Sequence, residues 1–230
     1  RLAGRIDWSR ITDRTRGVES LSSWDSPASI VQACASQFRL DRWADQPYRP
    51  ECWIEKEALA GVFERVCHEL RVPYLSCRGY TSQSEMWRAS QRLKGYSQSG
   101  QTPIIFHFGD HDPSGIDMTR DIEDRLRLFL GDRIHLERLA LNMDQVNDYK
   151  PPPNPAKLTD TRAAAYIAEF GDESWELDAL DPTTLSALVR EKIENLIERD
   201  AWDKSVTEEL EHRRLLEAVS DRWETITENL

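Results

Sequence analysis

The fold is indicated most clearly by residues 103–117, which read PIIFHFGDHDPSGID. The apolar run 104–108 is typical of a strand buried on both faces of a parallel sheet. Residues 109–115 contain two glycines and a proline and predict a turn, and the apolar spacing in 116–130 predicts a helix. A buried strand that passes through a turn into a helix is one repeat of a parallel α/β fold.

The same alternation of strands and helices extends outward from this stretch. Short apolar runs predict strands, and apolar residues spaced i, i+3, i+4 predict helices. In chain order the pattern predicts strand 52–54, helix 58–70, strand 72–77, helix 82–96, strand 104–108, helix 116–130 and a weaker strand at 134–141. We place Met86, Trp87 and Leu93 on the inward face of the 82–96 helix. The fold class is therefore α/β, an open parallel sheet flanked by helices.

The flanking segments differ in character from this α/β region. Residues 1–49 are predicted to form a loose arm and one helix, and residues 143–230 a helical C-terminal extension with an acidic tail. We assign the α/β domain to residues 50–142. Because acidic helices repel phosphate groups, we expect the Pro-rich connector 151–155 to lay the extension back on the sheet.

Composition excludes several classes of protein. An apolar content of 39% is too high for a disordered chain, and no apolar run approaches the ~20 residues that span a bilayer. The four cysteines form no CxxC pair, which disfavours a zinc module or a disulfide scaffold and favours reduced thiols and a cytoplasmic location. A net charge of −11 argues against a general polyanion binder, although carboxylates can bind phosphate through a divalent metal.

Three carboxylates are predicted to meet at one edge of the sheet. Glu55 directly follows the first strand, and Asp110 and Asp112 follow the third. Alternate residues of an extended chain point to the same side, so both aspartates can address one point, and such hard oxygen ligands suit Mg²⁺, or Mn²⁺ in its place. A helix N-cap would explain Asp112 alone, with Pro113 at the first helical position, but capping does not explain all three acids.

Neighbouring polar residues have simpler explanations. His107 alternates within the third strand and is predicted to be a packed core imidazole. We expect His111 to point away from the two aspartates, as a supporting or solvent-facing group. Arg78, beside Gly79 after the second strand, could contact a phosphate, although a single loop arginine is usually solvated.

These motifs resemble a known family. The segments IEKEA (54–58), CRGY (77–80) and GDHDPSGID (109–117) are similar to the Toprim domain. They are most similar to its version in the A subunit of DNA topoisomerase VI and in the meiotic double-strand-break transesterase. Weaker similarities in the same order extend the resemblance over roughly residues 50–198. The resemblance implies Mg²⁺ held by Glu55, Asp110 and Asp112, a DNA substrate whose phosphates could contact Arg78 and Lys56, and cleavage of phosphodiester bonds.

The chain departs from this family in its nucleophile. The family uses a tyrosine in a winged-helix domain far upstream of the Toprim glutamate, whereas Tyr48 is the sole tyrosine before Glu55 and is too close to fill that role. A first residue of Arg1 rather than Met favours a fragment whose tyrosine lies upstream. The alternative is a water nucleophile, as in Toprim nucleases. Arg78 also replaces the family's lysine.

The leading prediction is Mg²⁺-dependent cleavage of DNA. The alternative is a catalytically silent DNA-binding or assembly module, and a third reading, a small-substrate phosphohydrolase with an aspartate nucleophile, is disfavoured by the order of the acids across the strands. A homodimer and a partner ATPase subunit are left open, and no membrane partner is expected.

Overall fold

The computed structural model describes residues 5, 20–131 and 134–228. Most of the predicted N-terminal arm lies outside the described residues. The chain forms two compact units, Leu40–Thr207 and a smaller one made of Arg1–Arg39 with Glu208–Leu230. The predicted domain boundaries at residues 49/50 and 142/143 stay predictions.

The larger unit is built on a parallel sheet, which confirms the predicted fold class. Among the described residues the sheet has four strands in the order β2-β1-β3-β4, every neighbouring pair parallel. The strands are β1 (Tyr48–Ile54), β2 (Tyr74–Ser76), β3 (Thr102–Phe108) and β4 (His135–Ala140). This order places β1 and β3 side by side at the centre, so the loops that follow them are neighbours.

Strand β1 begins four residues earlier than predicted and runs through Pro50. The amide of Cys52 donates to Pro73 O at 3.0 Å, so the nitrogen of Pro50, two residues earlier, faces the same side of the strand. Strand β2 pairs only with the last three residues of β1 and does not reach Pro50. The proline therefore removes no hydrogen bond from the ladder.

Helices cover both faces of the sheet. Along β1 the side chains of Cys52 and Ile54 join one apolar cluster and that of Trp53 joins the other. The first cluster contains buried residues of α2 and α7, and the second those of α3 and α4. The helices are α1 (Pro27–Gln37), α2 (Ala60–Glu69), α3 (Gln83–Gln98), α4 (Pro113–Leu130), α5 (Met143–Tyr149), α6 (Ala163–Phe170), α7 (Pro182–Glu194), α8 (Arg199–Asp221) and α9 (Trp223–Thr227).

One predicted core position is wrong. Met86 and Leu93 of α3 are fully buried, but Trp87 is 53% exposed. Positions 86 and 93 are seven residues apart and share one side of a helix, whereas position 87 is rotated by about 100° away from them. Trp87 was predicted to be buried because its side chain is apolar, but its position on the helix places it on the exposed side.

The C-terminal segment returns to the sheet through α7. Leu185, Val189 and Ile193 are fully buried in the same cluster as α2, which agrees with the expected placement of this helix. A two-residue strand β5 (Asn154–Pro155) pairs antiparallel with β6 (Glu173–Ser174) before α7 begins.

The smaller unit pairs α1 with the later part of α8. Arg213 Nε donates to Phe38 O at 3.0 Å, and Ser220 Oγ donates to Ala28 O at 2.9 Å. The predicted helical tail is interrupted at Arg222, between α8 and α9. Throughout the described part of the chain, no helix is both long and apolar enough to cross a membrane.

Candidate functional site

The three predicted carboxylates follow the carboxyl ends of the two central strands. The amide of Glu55 donates to Phe108 O at 2.8 Å, and that of Gly109 donates to Ala140 O at 2.8 Å, so the ladder continues just beyond the strands. We call the loop residues that directly follow the carboxyl ends of strands β1 to β4 the carboxyl edge of the sheet. In open parallel sheets, ligands bind beyond this edge.

Glu55 is a buried carboxylate among other carboxylates. It is 9% exposed, and its Oε2 accepts a hydrogen bond of 3.0 Å from the amide of Asp110. Burial and the negative charge of Asp110 raise the pKa of Glu55 to about 7, against the opposing effects of that hydrogen bond and of Arg138. The predicted metal ligand is therefore a carboxyl group that exchanges a proton near neutral pH in the metal-free protein.

Asp110 is held by two different donors. Its Oδ1 accepts from the amide of Leu177 at 2.8 Å, and its Oδ2 lies 3.2 Å from Lys56 Nζ. Burial raises the pKa of Asp110, while these two donors act to lower it. A backbone amide from the C-terminal segment and the side chain of Lys56, which follows Glu55 in sequence, thus both contact Asp110.

Asp112 caps helix α4, as predicted. Its Oδ1 accepts from the amide of Gly115 at 2.6 Å, and Pro113 occupies the first turn. A Cβ on Gly115 would lie 2.2 Å from Asp110 O, so only glycine lets the helix pass this close to the backbone of the loop. The cap and the glycine together hold the loop that carries the two aspartates close to the start of α4.

Arg138 is the residue that sequence analysis missed most clearly. Its buried guanidinium donates to backbone oxygens of the loop after β3, to Gly109 O at 2.9 Å and to Asp110 O at 2.5 Å. It also donates to Thr119 Oγ1 at 2.6 Å. Burial lowers the pKa of Arg138 to about 10, although Glu55 and the two aspartates oppose that shift. In the sequence it was only a charge interrupting a weak strand.

Glu176 and Asp178 also join the site from the C-terminal segment. Lys56 Nζ lies 2.8 Å from Glu176 Oε2 and 3.0 Å from Asp178 Oδ1. Burial lowers the pKa of Lys56 and the hydrogen bonds to these two carboxylates raise it, with a net increase over the usual value. The partners lie 120 and 122 residues apart in the chain, and no local pattern marks such a contact.

The two histidines differ in how well they were predicted. His107 is fully buried with Nδ1 2.9 Å from Thr119 Oγ1, and burial lowers its pKa to about 3, so the predicted core imidazole is confirmed. His111 is 2% exposed, which makes a solvent-facing position wrong. Its Nδ1 lies 2.8 Å from Tyr166 Oη, and its ring packs edge-on against Phe170 and Trp175. His111 thus joins α6 to the carboxyl edge.

Arg78 lies on the loop that follows β2 and has a positive φ of 54°. Its Nη2 lies 2.5 Å from Glu57 Oε1, in the short helix that follows Glu55, and its side chain is 69% exposed. Contact with a phosphate stays a prediction for both Arg78 and Lys56.

The donor chemistry at this edge fits Mg²⁺, because Glu55, Asp110 and Asp112 offer only hard oxygen ligands. Mutual repulsion among them also contributes to raising the pKa of both Glu55 and Asp110. Within residues 20–131 and 134–228, however, no three His, Cys, Asp or Glu side chains converge as a ready-made metal site. The contacts above give a reason: each carboxylate already accepts from a protein donor.

Comparison with known proteins adds no assignment. No protein-family model matches the chain, and no curated protein gives a significant match. Inferences about function therefore rest on the residues of the carboxyl edge.

Proposed function

We propose that the chain cleaves phosphodiester bonds in DNA, with Mg²⁺ held by Glu55, Asp110 and Asp112. One observation carries the proposal: Glu55 Oε2 accepts from the amide of Asp110 at 3.0 Å at the carboxyl edge, and burial together with the negative charges of Asp110 and Asp112 raises the pKa of Glu55 to about 7. A cluster of this kind gains stability from a cation. The resemblance to the Toprim domain of topoisomerase VI A subunits supports the same assignment.

Each residue of the site has a task in this proposal. Glu55, Asp110 and Asp112 would hold the cation, and because a ligating carboxylate must be ionised, the pKa of about 7 at Glu55 makes metal binding favour neutral to alkaline pH. Arg138 fixes the loop that carries Asp110 through its hydrogen bonds to the backbone. When bound, a divalent cation neutralises the charge that develops on the reacting oxygens.

The test is nicking of supercoiled plasmid by the purified chain with Mn²⁺ or Mg²⁺. Glu55→Gln should abolish detectable nicking, because it removes a charged ligand of the cation. Asp110→Asn should do the same through loss of a metal ligand. Asp172→Asn, at an exposed position, is the matched control and should nick at the wild-type rate.

The ends of the product identify the nucleophile. With water as nucleophile the nicked DNA carries free ends. Recovery of protein joined covalently to a DNA end would instead identify a tyrosine nucleophile, and the exclusion of Tyr48 would then have to be re-examined.

A second candidate is a catalytically silent DNA-binding or assembly module. It is favoured by the contact between Lys56 and Asp110, since an ammonium group already provides positive charge at one of the proposed ligands. DNA binding by wild type that Asp110→Asn leaves unchanged, with no nicking in any divalent metal, would support this candidate and contradict the first.

A further inference from the structure

We propose that Lys56 is a displaceable internal cation, which competes with a divalent metal for Asp110 and is kept beside the site by Glu176 and Asp178. This inference rests on the proposed function, because it concerns how the same carboxylates receive their metal. It assigns roles to two acidic residues that neither capping nor the predicted metal ligands explain.

The first step concerns the ammonium group of Lys56. Three carboxylate oxygens lie within 3.2 Å of Nζ, those of Asp110, Glu176 and Asp178. An ammonium group has three N–H donors and no acceptor, so these oxygens match its full donor capacity. The side chain is only 22% exposed, which strengthens each of these contacts relative to one in open water.

The second step concerns Asp110. Its two oxygens face different donors, the amide of Leu177 and the ammonium of Lys56. The amide belongs to the backbone at the start of a short 3-10 helix (Leu177–Ala179) and cannot move without that segment. Lys56 is a long side chain that can rotate. A metal that binds Asp110 will therefore take the oxygen that faces Lys56.

The third step concerns where Lys56 goes. Glu176 and Asp178 flank Leu177 in sequence, and their carboxylates lie at 2.8 Å and 3.0 Å from Nζ. Lys56 thus keeps two of its three carboxylate contacts when a metal takes Asp110 as a ligand. The ammonium can leave Asp110 without losing all of its ionic partners, so displacement costs less than full removal of a paired cation would.

The experiment is calorimetric titration of Mg²⁺, repeated with Mn²⁺, into the full chain. Lys56→Met removes the competitor and should bind metal about tenfold more tightly, a change of about 1.4 kcal/mol. The double variant Glu176→Gln/Asp178→Asn leaves Lys56 with Asp110 alone and should bind about threefold more weakly. Both acidic side chains are 40–50% exposed, so the double variant is expected to fold.

Two controls separate competition from general electrostatics. Arg78→Met removes a positive charge from the same edge without touching Asp110, and should change metal affinity less than twofold if competition is the cause. The triple variant Lys56→Met/Glu176→Gln/Asp178→Asn should bind metal like Lys56→Met alone, since the acidic pair acts through Lys56. Such non-additivity is what a double-mutant cycle measures.

The outcomes distinguish this inference from the proposed function. If wild type binds metal, Asp110→Asn does not, and Lys56→Met is unchanged, the inference is wrong and the metal site stands. Additive effects in the triple variant, or tightening by Arg78→Met equal to that by Lys56→Met, would also overturn it. If neither metal binds to wild type or any variant, the proposed metal site and the inference fall together.

Discussion

Two buried glutamates four residues apart, one in strand β1 and one just after it, have different surroundings. Glu51, in the middle of the strand, is 1% exposed and is held by the guanidinium fork of Arg92, at 2.7 Å and 2.9 Å. The indole of Trp53 donates to it as well, at 3.0 Å. Glu55, just past the end of the strand, accepts from one backbone amide and lies among other carboxylates.

The difference lies in whether the protein itself neutralises the buried carboxylate. A bidentate arginine and an indole N–H satisfy Glu51 inside the protein, so it needs no external group. The guanidinium of Arg138, whose charge acts to lower the pKa of Glu55, donates hydrogen bonds to backbone and hydroxyl oxygens. Glu55 is left with a raised pKa, which is typical of sites that take a proton or a cation from outside.

The largest effect is expected from Arg92→Leu. This change leaves Glu51 buried without its cation, so the free energy of unfolding should fall by about 3–4 kcal/mol. Urea denaturation at pH 7 measures it. Arg88→Leu is the matched control, one turn earlier in α3 with a side chain 70% exposed, and should cost less than about 0.5 kcal/mol. Equal losses in the two variants would remove the contrast between Glu51 and Glu55.

A smaller loss is expected from Gly115→Ala, which tests how tightly the carboxyl edge is packed. The added Cβ would lie 2.2 Å from the backbone oxygen of Asp110, which cannot rotate away, so unfolding should become easier by about 2–3 kcal/mol. Gly95→Ala in α3 is the control, because a Cβ there meets no atom within 4 Å. It should stabilise the chain by about 0.5–1 kcal/mol. Stabilisation by both changes would contradict the packing argument.

The smallest effect, and the one opposite in sign to Arg92→Leu, is expected from Glu55→Gln. Because the folded-state pKa of Glu55 is raised from 4.5 to about 7, the folded protein binds more protons than the unfolded chain between these values. Stability of the wild type therefore falls as pH rises from about 4.5 to 7 through this group. Gln keeps an acceptor for the amide of Asp110 and carries no charge, so Glu55→Gln should be stabilising at pH 8. We expect a gain of roughly 2 kcal/mol, less than the full value of the pKa shift, because the buried Gln NH₂ group needs partners that a carboxyl group does not.

The gain from Glu55→Gln should disappear below about pH 4.5, where the wild-type carboxyl is protonated in both states. Urea titrations from pH 4 to 8 give the profile, and Glu217→Gln, at an exposed position, should follow the wild type. A gain that is the same at every pH would show that charge at Glu55 is not its source.

Much of the site could be predicted from local rules. The positions of Glu55, Asp110 and Asp112 follow from where two strands end, and the cap at Asp112 follows from the proline after it. The burial of His111 could not be predicted in this way. Alternation shows only that it points away from the aspartates, whereas Tyr166, Phe170 and Trp175 come from a segment over 50 residues later.

The sequence by itself determined the α/β class and the carboxyl edge, because apolar periodicity, turns and caps are properties of neighbours along the chain. Only the tertiary structure decided what surrounds the carboxylates. Arg138 reaches the loop after β3 because β4 pairs beside it, and Glu176 and Asp178 meet Lys56 because their segment crosses that edge. Charges act through space, so the group that neutralises a carboxylate need not lie near it in sequence.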